Sequence, residues 1–476
     1  MTRSRTIGRA VLAFGGGALF ACASPPGPAR VPQHVVLVSF DTLRADHLGC
    51  YGYSRPTSPF LDRLAQRGVL FENAFSSCSH TSPAHASLFT GLYPSQHGVR
   101  RNGLGFPDLV PGKPGFRTLA ELLAARGFDT AGFSGVTFLT PIARGFHSFD
   151  GAGGNWHEYR QADATVDASL RWLAARRPAD RFLLFLHLFD AHLPHRAPDD
   201  CVRQLAFASP NEEEAFGRKA VEREGASPRV YGSRAELARE HARYDAEVRF
   251  ADRELGRLFE AMEKAGFGDD TLWIVTADHG EGLGSHSYAG HGKYLYNEQL
   301  RIPLILYQGG QGPGARVSSL ARHVDVLPTL LELLGASFEQ PGFTLPGRSL
   351  VPALRAPTRP LPASFAFSER RAPAKKPRPS APARGPDWEG GEMFSVQDLE
   401  WKYIVNTKGK GQLFDLRSDP LERHNLASSA EAKIKDRLRR LAVETSERAK
   451  REGQSVAPRP PDPAIQQELR ALGYVQ

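Results

Sequence analysis

Asp41 stands directly after the β-branched run HVVLVSF, and Asp278-His279 stand directly after TLWIVTA. Between them in the chain lies TSPAHASLFTG, residues 81–91, headed by Thr81. Carboxylates and an imidazole delivered from separate strand ends suit a divalent cation, which needs several oxygen or nitrogen donors converging on one point. A threonine hydroxyl is inert at neutral pH until something lowers its pKa, and a neighbouring cation does so. Taken singly, each residue has an ordinary structural role: an Asp after a strand serves turns, and Thr81 before Ser82-Pro83 reads equally well as a helix cap. His192 in DAHLPH, Lys293 in HGKYLYNEQLRIPL and His85 in the 81–91 string are further candidates. His187, Asp190 and His195 surround His192 in sequence and are not ranked by it. His47, His286 and His291 read either as supports for the site or as plain loop histidines.

In this order, VVLVSFDTLRADHLGCYGY, TSPAHASLFTG and IVTADHGEGLGSH resemble the sulfatase family of the alkaline-phosphatase superfamily, and FDLRSDPLERHNLA resembles its C-terminal ending. The resemblance implies one divalent metal held by Asp41, Asp278 and His279, with Thr81 Oγ completing the site. It further implies that Lys293 and His192 bind the substrate on the side away from the metal, and that His85 supports the nucleophile. Sulfatases place Cys or Ser at the head of a [C/S]-x-P-x-R string and oxidise it to formylglycine. Here the head is Thr81, which cannot become an aldehyde, and His85 stands in place of the Arg. Cys78 lacks the required Pro two residues later and reads as a small buried residue. The stretch GFSGVTF also lacks the Lys and His with which sulfatases grip sulfate.

His279 replaces the family's usual Asn, and Thr42 replaces a frequent second Asp. Both changes move the expected metal from calcium toward manganese or zinc. The Asp-His pair resembles phosphonate monoester hydrolases and lipoteichoic-acid synthases, and the latter also use Thr as nucleophile. A threonine ester has no aldehyde exit, so water must attack the central atom, which is workable at phosphorus and poorer at sulfur. The expected activity is therefore a metal-dependent hydrolase or transferase of phosphate mono- or diesters through a covalent Thr81 intermediate. The alternatives are a sulfuric ester hydrolase using unmodified Thr81 and a non-catalytic anionic-glycan binder. A binder has no need of a complete metal and nucleophile set.

These residues need elements to place them. HVVLVSF (34–40), FLLFLHLF (182–189) and TLWIVTA (271–277) are unbroken apolar runs, the pattern of strands buried on both faces. VLFENAF (69–75), FDTAGFS (128–134) and RIPLILY (301–307) read as further strands. Helical spacing marks 59–67, 84–90, 117–127, 164–177, 234–265 and 326–335. Residues 197–232 are polar and poorly periodic and read as a surface excursion. The predicted fold is α/β: a large, mainly parallel sheet sandwiched by helices, alkaline-phosphatase/sulfatase-like, with ligands at the carboxyl ends of its strands. A small C-terminal antiparallel α+β subdomain follows, with alternation from 393, turn chemistry at Gly409–Gly411 and a charged helix over 430–450. The expected divisions are a catalytic domain at 34–360, the subdomain at 361–455 with a basic Pro-rich loop at 371–386, and a tail at 456–476.

The N-terminus reads as an export signal over residues 1–21: Arg3, Arg5 and Arg9, then a short apolar stretch ending in LFAC at Cys22. LFAC resembles a bacterial lipobox, which predicts a lipidated Cys22, a Pro-rich tether over 22–33 and attachment to a bacterial envelope membrane. An ordinary cleaved signal is the alternative. Cys50, Cys78 and Cys201 cannot all pair and have no zinc spacing. The net charge of +8 comes partly from basic Pro-rich pieces, so the expected partner is a small-molecule, glycan or lipid ester rather than nucleic acid.

Overall fold

The computed structural model describes residues 31–108, 115–151, 159–309, 314–336, 342–371, 391–428, 432–453 and 458–471. The signal segment, Cys22, the tether to residue 30 and residues 372–386 of the basic loop lie outside them. The main sheet contains β1 (His34–Phe40), β2 (Val69–Phe75), β3 (Asp129–Ser134), β4 (Ser148–Gly151), β5 (Phe182–Leu188), β6 (Thr271–Ala277), β7 (Arg301–Ile302), β8 (Leu304–Gln308) and β9 (Ala315–Arg322). Its order is β4-β3-β5-β1-β6-β8-β2-β7, with β9 also paired to β2. β4, β3, β5, β1 and β6 run parallel, whereas β8 runs antiparallel to both β6 and β2. Every residue of β1, β5 and β6 is buried, as their unbroken apolar runs predict.

The pleat sorts side chains to the two faces. Leu37 is in register with Phe185 and Ile274, and Val36 with Leu184 and Trp273. Phe89, from the helix Thr81–Thr90, packs on Phe185 with ring centroids 4.9 Å apart. Phe259, from the helix Arg234–Lys264, packs on Trp273 at 5.1 Å, so helices cover opposite faces. Counting in twos from Leu37, Phe185 and Ile274 reaches Asp41, His187 and Asp278. The ladder continues past the strand ends, because Asp41 N–H donates to Leu188 C=O and Asp278 N–H to Phe40 C=O. All three polar residues therefore emerge on the face that carries the Thr81 helix.

Three local readings change. RIPLILY is split into β7 and β8, because Pro303 has no N–H for the ladder. The 197–232 excursion folds into helices Asp199–Gln204 and Pro210–Glu224. The second has clear punctuation: the Ser209 hydroxyl accepts from Glu212 N–H, Pro210 opens it and Gly225 closes it at φ +68°. Its apolar side is narrow, which hides its periodicity. The helix after Cys78 begins at Thr81, not at Pro83, with His80 as the preceding residue. Thr81 is thus inside the first turn and does not act as its cap.

The second sheet joins β10 (Ala366–Arg370), β11 (Met393–Gln397), β12 (Trp401–Asn406) and β13 (Gly411–Asp415) as an antiparallel meander. The helix Ala432–Gly453 lays Leu438 and Ala442 against Val396 and Tyr403. Residues of the C-terminal tail form a helix, Pro463–Ala471, that buries Ile465 and Leu469. His286 ties the two sheets together. Its Nδ1 lies 3.0 Å from Glu298 Oε1, its Nε2 lies 3.0 Å from Glu422 C=O, and its ring stacks on Tyr296 at 3.6 Å.

Burial opposes a charge on His286, but the Glu298 carboxylate outweighs it and raises its pKa to about 9. A folded pKa above the unfolded one means that this contribution is complete below about pH 6.5 and disappears as pH rises through about 9. Denaturant unfolding at pH 6 and pH 9.5 is expected to show wild type losing on the order of 1–3 kcal/mol more than His286→Gln across that interval. Equal losses in the two proteins would remove His286 from this role.

Candidate active site

Asp41, Thr81, Asp278 and His279 meet at the carboxyl ends of β1 and β6 and are fully buried. Thr81 Oγ1 lies 3.4 Å from His279 Nε2, which is also 3.4 Å from Asp278 Oδ2. The His279 Nδ1–H donates to Gly280 C=O over 3.0 Å, so its Nε2 presents a lone pair to the cluster. Asp278 Oδ1 accepts from the N–H groups of Thr42 and His279 at 3.1 and 2.7 Å. The first of these comes from a residue at φ +53°, a strained turn that folds the chain back over the carboxylate.

Two oxygens remain unsatisfied. Asp41 Oδ1 and Asp278 Oδ2 have no hydrogen-bond partner although both residues are inaccessible. Burial raises the Asp41 carboxyl to about pH 7, and burial followed by the Asp41 charge raises that of Asp278. Burial also holds the His279 imidazole neutral by lowering its pKa. Orphaned carboxylate oxygens in a closed pocket are costly, and a cation is what relieves them. Two carboxylates, a neutral imidazole and a hydroxyl therefore fit one divalent metal ion.

Around this centre the structure ranks the histidines that the sequence left open. His187, at the end of β5, places Nε2 at 3.2 Å from Asp41 Oδ2 and Nδ1 at 3.2 Å from Ser134 Oγ, so it orients Asp41. His195 turns away to Glu240, 3.5 Å off. Asp190 Oδ1 accepts from Ala162 N–H at the start of the helix Ala162–Leu173, which is a structural role. His85 lies one turn into the Thr81 helix, donates from Nδ1 to Thr81 C=O over 2.8 Å, and leaves Nε2 without a partner. It supports the backbone of Thr81 and not its hydroxyl.

His192 stacks on Phe189 at 4.4 Å, and its Nδ1 bonds to Leu193 C=O. Burial lowers its pKa well below the ordinary value. With the ring neutral and its Nδ1–H donated to the backbone, Nε2 is the unprotonated nitrogen of His192. The Lys293 ammonium lies over the rings of Tyr288 and Tyr294, 5.6 and 5.2 Å from their centroids. His286 belongs to the inter-sheet contact and His47 to a separate buried cluster.

Sequence reasoning missed three contributors. Ser134 holds the far nitrogen of His187. Glu281 binds His291 Nδ1 at 3.0 Å; burial opposes a charge there, but Glu281 raises the pKa of His291, whose ring lies 4.5 Å from that of His279. His80 forms the rim, where a Cβ on Gly292 would come within 2.7 Å of its Nε2; Gly292, at φ +80°, is the residue that permits this approach. A Glu in a Gly-rich loop and a His before a helix carry no periodic signal, so only their neighbours reveal them.

The Sulfatase family model matches residues 33–336. The chain is 27% identical to the multifunctional alkaline phosphatase superfamily protein PehA of Trinickia caryophylli, over 83% of this chain and 91% of that protein. It shares its fold with the phosphonate monoester hydrolase of Agrobacterium radiobacter, with a TM-score of 0.67, 23% identity and coverage of 88% and 96%. A putative sulfatase, YidJ, from Bacteroides fragilis gives a TM-score of 0.72 at 21% identity, covering 92% and 97%.

Asp278→Asn is expected to lower the bound divalent metal by one equivalent in elemental analysis while the thermal transition persists. His187→Gln should weaken metal affinity by about 10–100-fold, the usual effect of losing the partner that orients a ligand. Unchanged metal content and affinity in both variants would show that the ion sits elsewhere.

Proposed function

Because the chain belongs to the sulfatase family, we propose that it is a metal-dependent hydrolase of phosphate mono- or diesters that works through a covalent ester on Thr81. The observation that carries this reading is Thr81 itself: a hydroxyl at the first turn of a buried helix, 3.4 Å from His279 Nε2, in the place where the family oxidises Cys or Ser. Asp41, Asp278 and His279 would hold one divalent ion, with manganese, zinc or calcium as candidates and the imidazole favouring the first two. When bound, that ion supplies the positive charge that lowers the Thr81 hydroxyl pKa and draws the anionic ester oxygens into the pocket.

The chain's own residues do the rest. Thr81 Oγ–H passes its proton to solvent, and Oγ forms a bond to phosphorus as the bond to the leaving alcohol breaks. The N–H groups of the first helical turn face the anionic group, as helix starts do generally. Lys293 supplies donors on the side of the leaving oxygen, and the alcohol departs with a proton taken from solvent. Water then attacks phosphorus, the Thr81–phosphorus bond breaks, Thr81 regains a proton and phosphate is released. That water gives up a proton to solvent as it attacks. If an acceptor alcohol enters in place of water, the same intermediate performs transfer.

Support for phosphorus over sulfur comes from two features of this chain. Thr81 offers no aldehyde through which sulfate could be expelled, and Ser134 to Phe138 contain neither the Lys nor the His expected of a sulfate grip. The same fold is used by a phosphonate monoester hydrolase.

A panel of aryl phosphate monoester, phosphodiester, phosphonate and sulfate substrates, each assayed with several metals, tests this reading. Wild type should favour a phosphorus ester and yield a phosphoryl adduct on Thr81 with a slow substrate. Thr81→Ala should lose on the order of 10³-fold or more in kcat with its fold intact, as expected for a lost nucleophile. If aryl sulfates are turned over faster than every phosphorus ester, a sulfatase using unmodified Thr81 replaces the proposal.

The N-terminal segment supports an exported enzyme anchored to an envelope membrane through Cys22, since a lipoprotein's several acyl chains give stable attachment. Mass spectrometry of the native N-terminus should find diacylglyceryl-Cys22. An unmodified terminus at another residue would leave a secreted enzyme.

A further inference from the structure

Away from the active site, a second group of donors closes on one point. His47 ends the short helix Ala45–His47, Glu224 ends the helix Pro210–Glu224, and His241 lies on the helix Arg234–Lys264. The side chains of the two histidines are wholly inaccessible, and that of Glu224 is 2% exposed. Glu224 Oε2 lies 3.4 Å from His47 Nε2 and 3.6 Å from His241 Nδ1. In a tetrahedral site with bonds of about 2.0–2.1 Å, donors stand about 3.3–3.4 Å apart.

The outer nitrogens are already committed. His47 Nδ1 lies 2.8 Å from Asp245 Oδ1, and His241 Nε2 lies 3.0 Å from Leu283 C=O. Carboxylate and carbonyl partners of this kind set the tautomer that turns the other nitrogen's lone pair toward a metal. A single proton shared between His47 and Glu224 is the competing arrangement, and it satisfies only one of the two inward nitrogens. His241 Nδ1 stays without a hydrogen bond in a fully buried position. Arg44 does not fill the gap. Its guanidinium is bidentate on Asp46 at 2.7 and 2.9 Å and comes no closer than 3.5 Å to Glu224 Oε2.

We propose that His47 Nε2, Glu224 Oε2 and His241 Nδ1 bind a second divalent ion of the zinc type, separate from the ion beside Thr81. Two imidazoles and one carboxylate select a borderline transition metal over calcium or magnesium. Because the donors come from three different helices, the ion pins the Pro210–Glu224 insertion to the body of the domain. Through His241 and Leu283 it also steadies the loop that follows Asp278-His279. Its role is structural, and it does not depend on which ester the active site cleaves.

The active-site metal must be removed from the count. In full-length protein carrying Asp41→Ala and Asp278→Ala, stripped by chelator and titrated with zinc, one equivalent should still bind and raise the melting temperature. Adding His241→Gln, or alternatively Glu224→Gln, should abolish that binding and that rise. The proposal is overturned if the Asp41→Ala/Asp278→Ala protein binds no zinc stoichiometrically, a result that needs no variant of the cluster. It is equally overturned if the equivalent persists in both the His241→Gln and the Glu224→Gln proteins.

Discussion

Two buried carboxylates, Asp41 and Asp278, face one another with an oxygen each left unsatisfied, and this uncompensated negative charge is the constraint around which the catalytic half is arranged. Such a pair is costly unless a proton, as the raised pKa values of Asp41 and Asp278 indicate, or a cation answers it. The parallel ladder of β1 and β6 brings the two side by side on one face. His187 from β5 steadies one of them, the strained turn at Thr42 steadies the other, and the Thr81 helix closes the remaining side. Changing the register of any of these strands by one residue would send its carboxylate to the opposite face.

His85, His187, His192 and His279 are held neutral by burial, and so serve as acceptors or ligands. His291, answered by Glu281, is the exception, with its pKa raised despite burial. Burial and nearby carboxylates thus push imidazole pKa values in opposite directions within one pocket.

The loop after His279 is held from two directions. Leu283 C=O accepts from His241 on the long helix, and His286 reaches both Glu298 and the backbone of Glu422 in the C-terminal part. Lys402 on β12 adds a fully buried ion pair with Glu422 at 2.7 Å. The small antiparallel sheet is therefore more than an appendage. It clamps the loop bearing Glu281, His291 and Lys293, which is how a distant hairpin can influence catalytic geometry.

Largely apolar runs were enough to place β1, β5 and β6, because a strand buried on both faces draws mostly apolar residues, and a polar residue at or just beyond its carboxyl end stands out. Asp41, Asp278 and His279 stood out for that reason, Thr81 stood out at the head of TSPAHASLFTG, and their order carried the family resemblance. Of the antiparallel C-terminal sheet, the strands from Met393 onward were legible from alternation and from Gly409, whereas the strand Ala366–Arg370 was not. The helix Pro210–Glu224 was misread although Ser209, Pro210 and Gly225 punctuate it, since its narrow apolar side blurs the helical period. Which of His187, His192 and His195 touches Asp41 was decided only by the fold. Alternation on β5 sends His187 to the Asp41 face, while His195 follows a turn and faces Glu240. Likewise His47, Glu224 and His241 lie far apart in the chain and become one cluster only when three helices pack. Local patterns encode which residues a strand or helix presents, but partners distant in sequence are chosen by packing, which no local pattern contains.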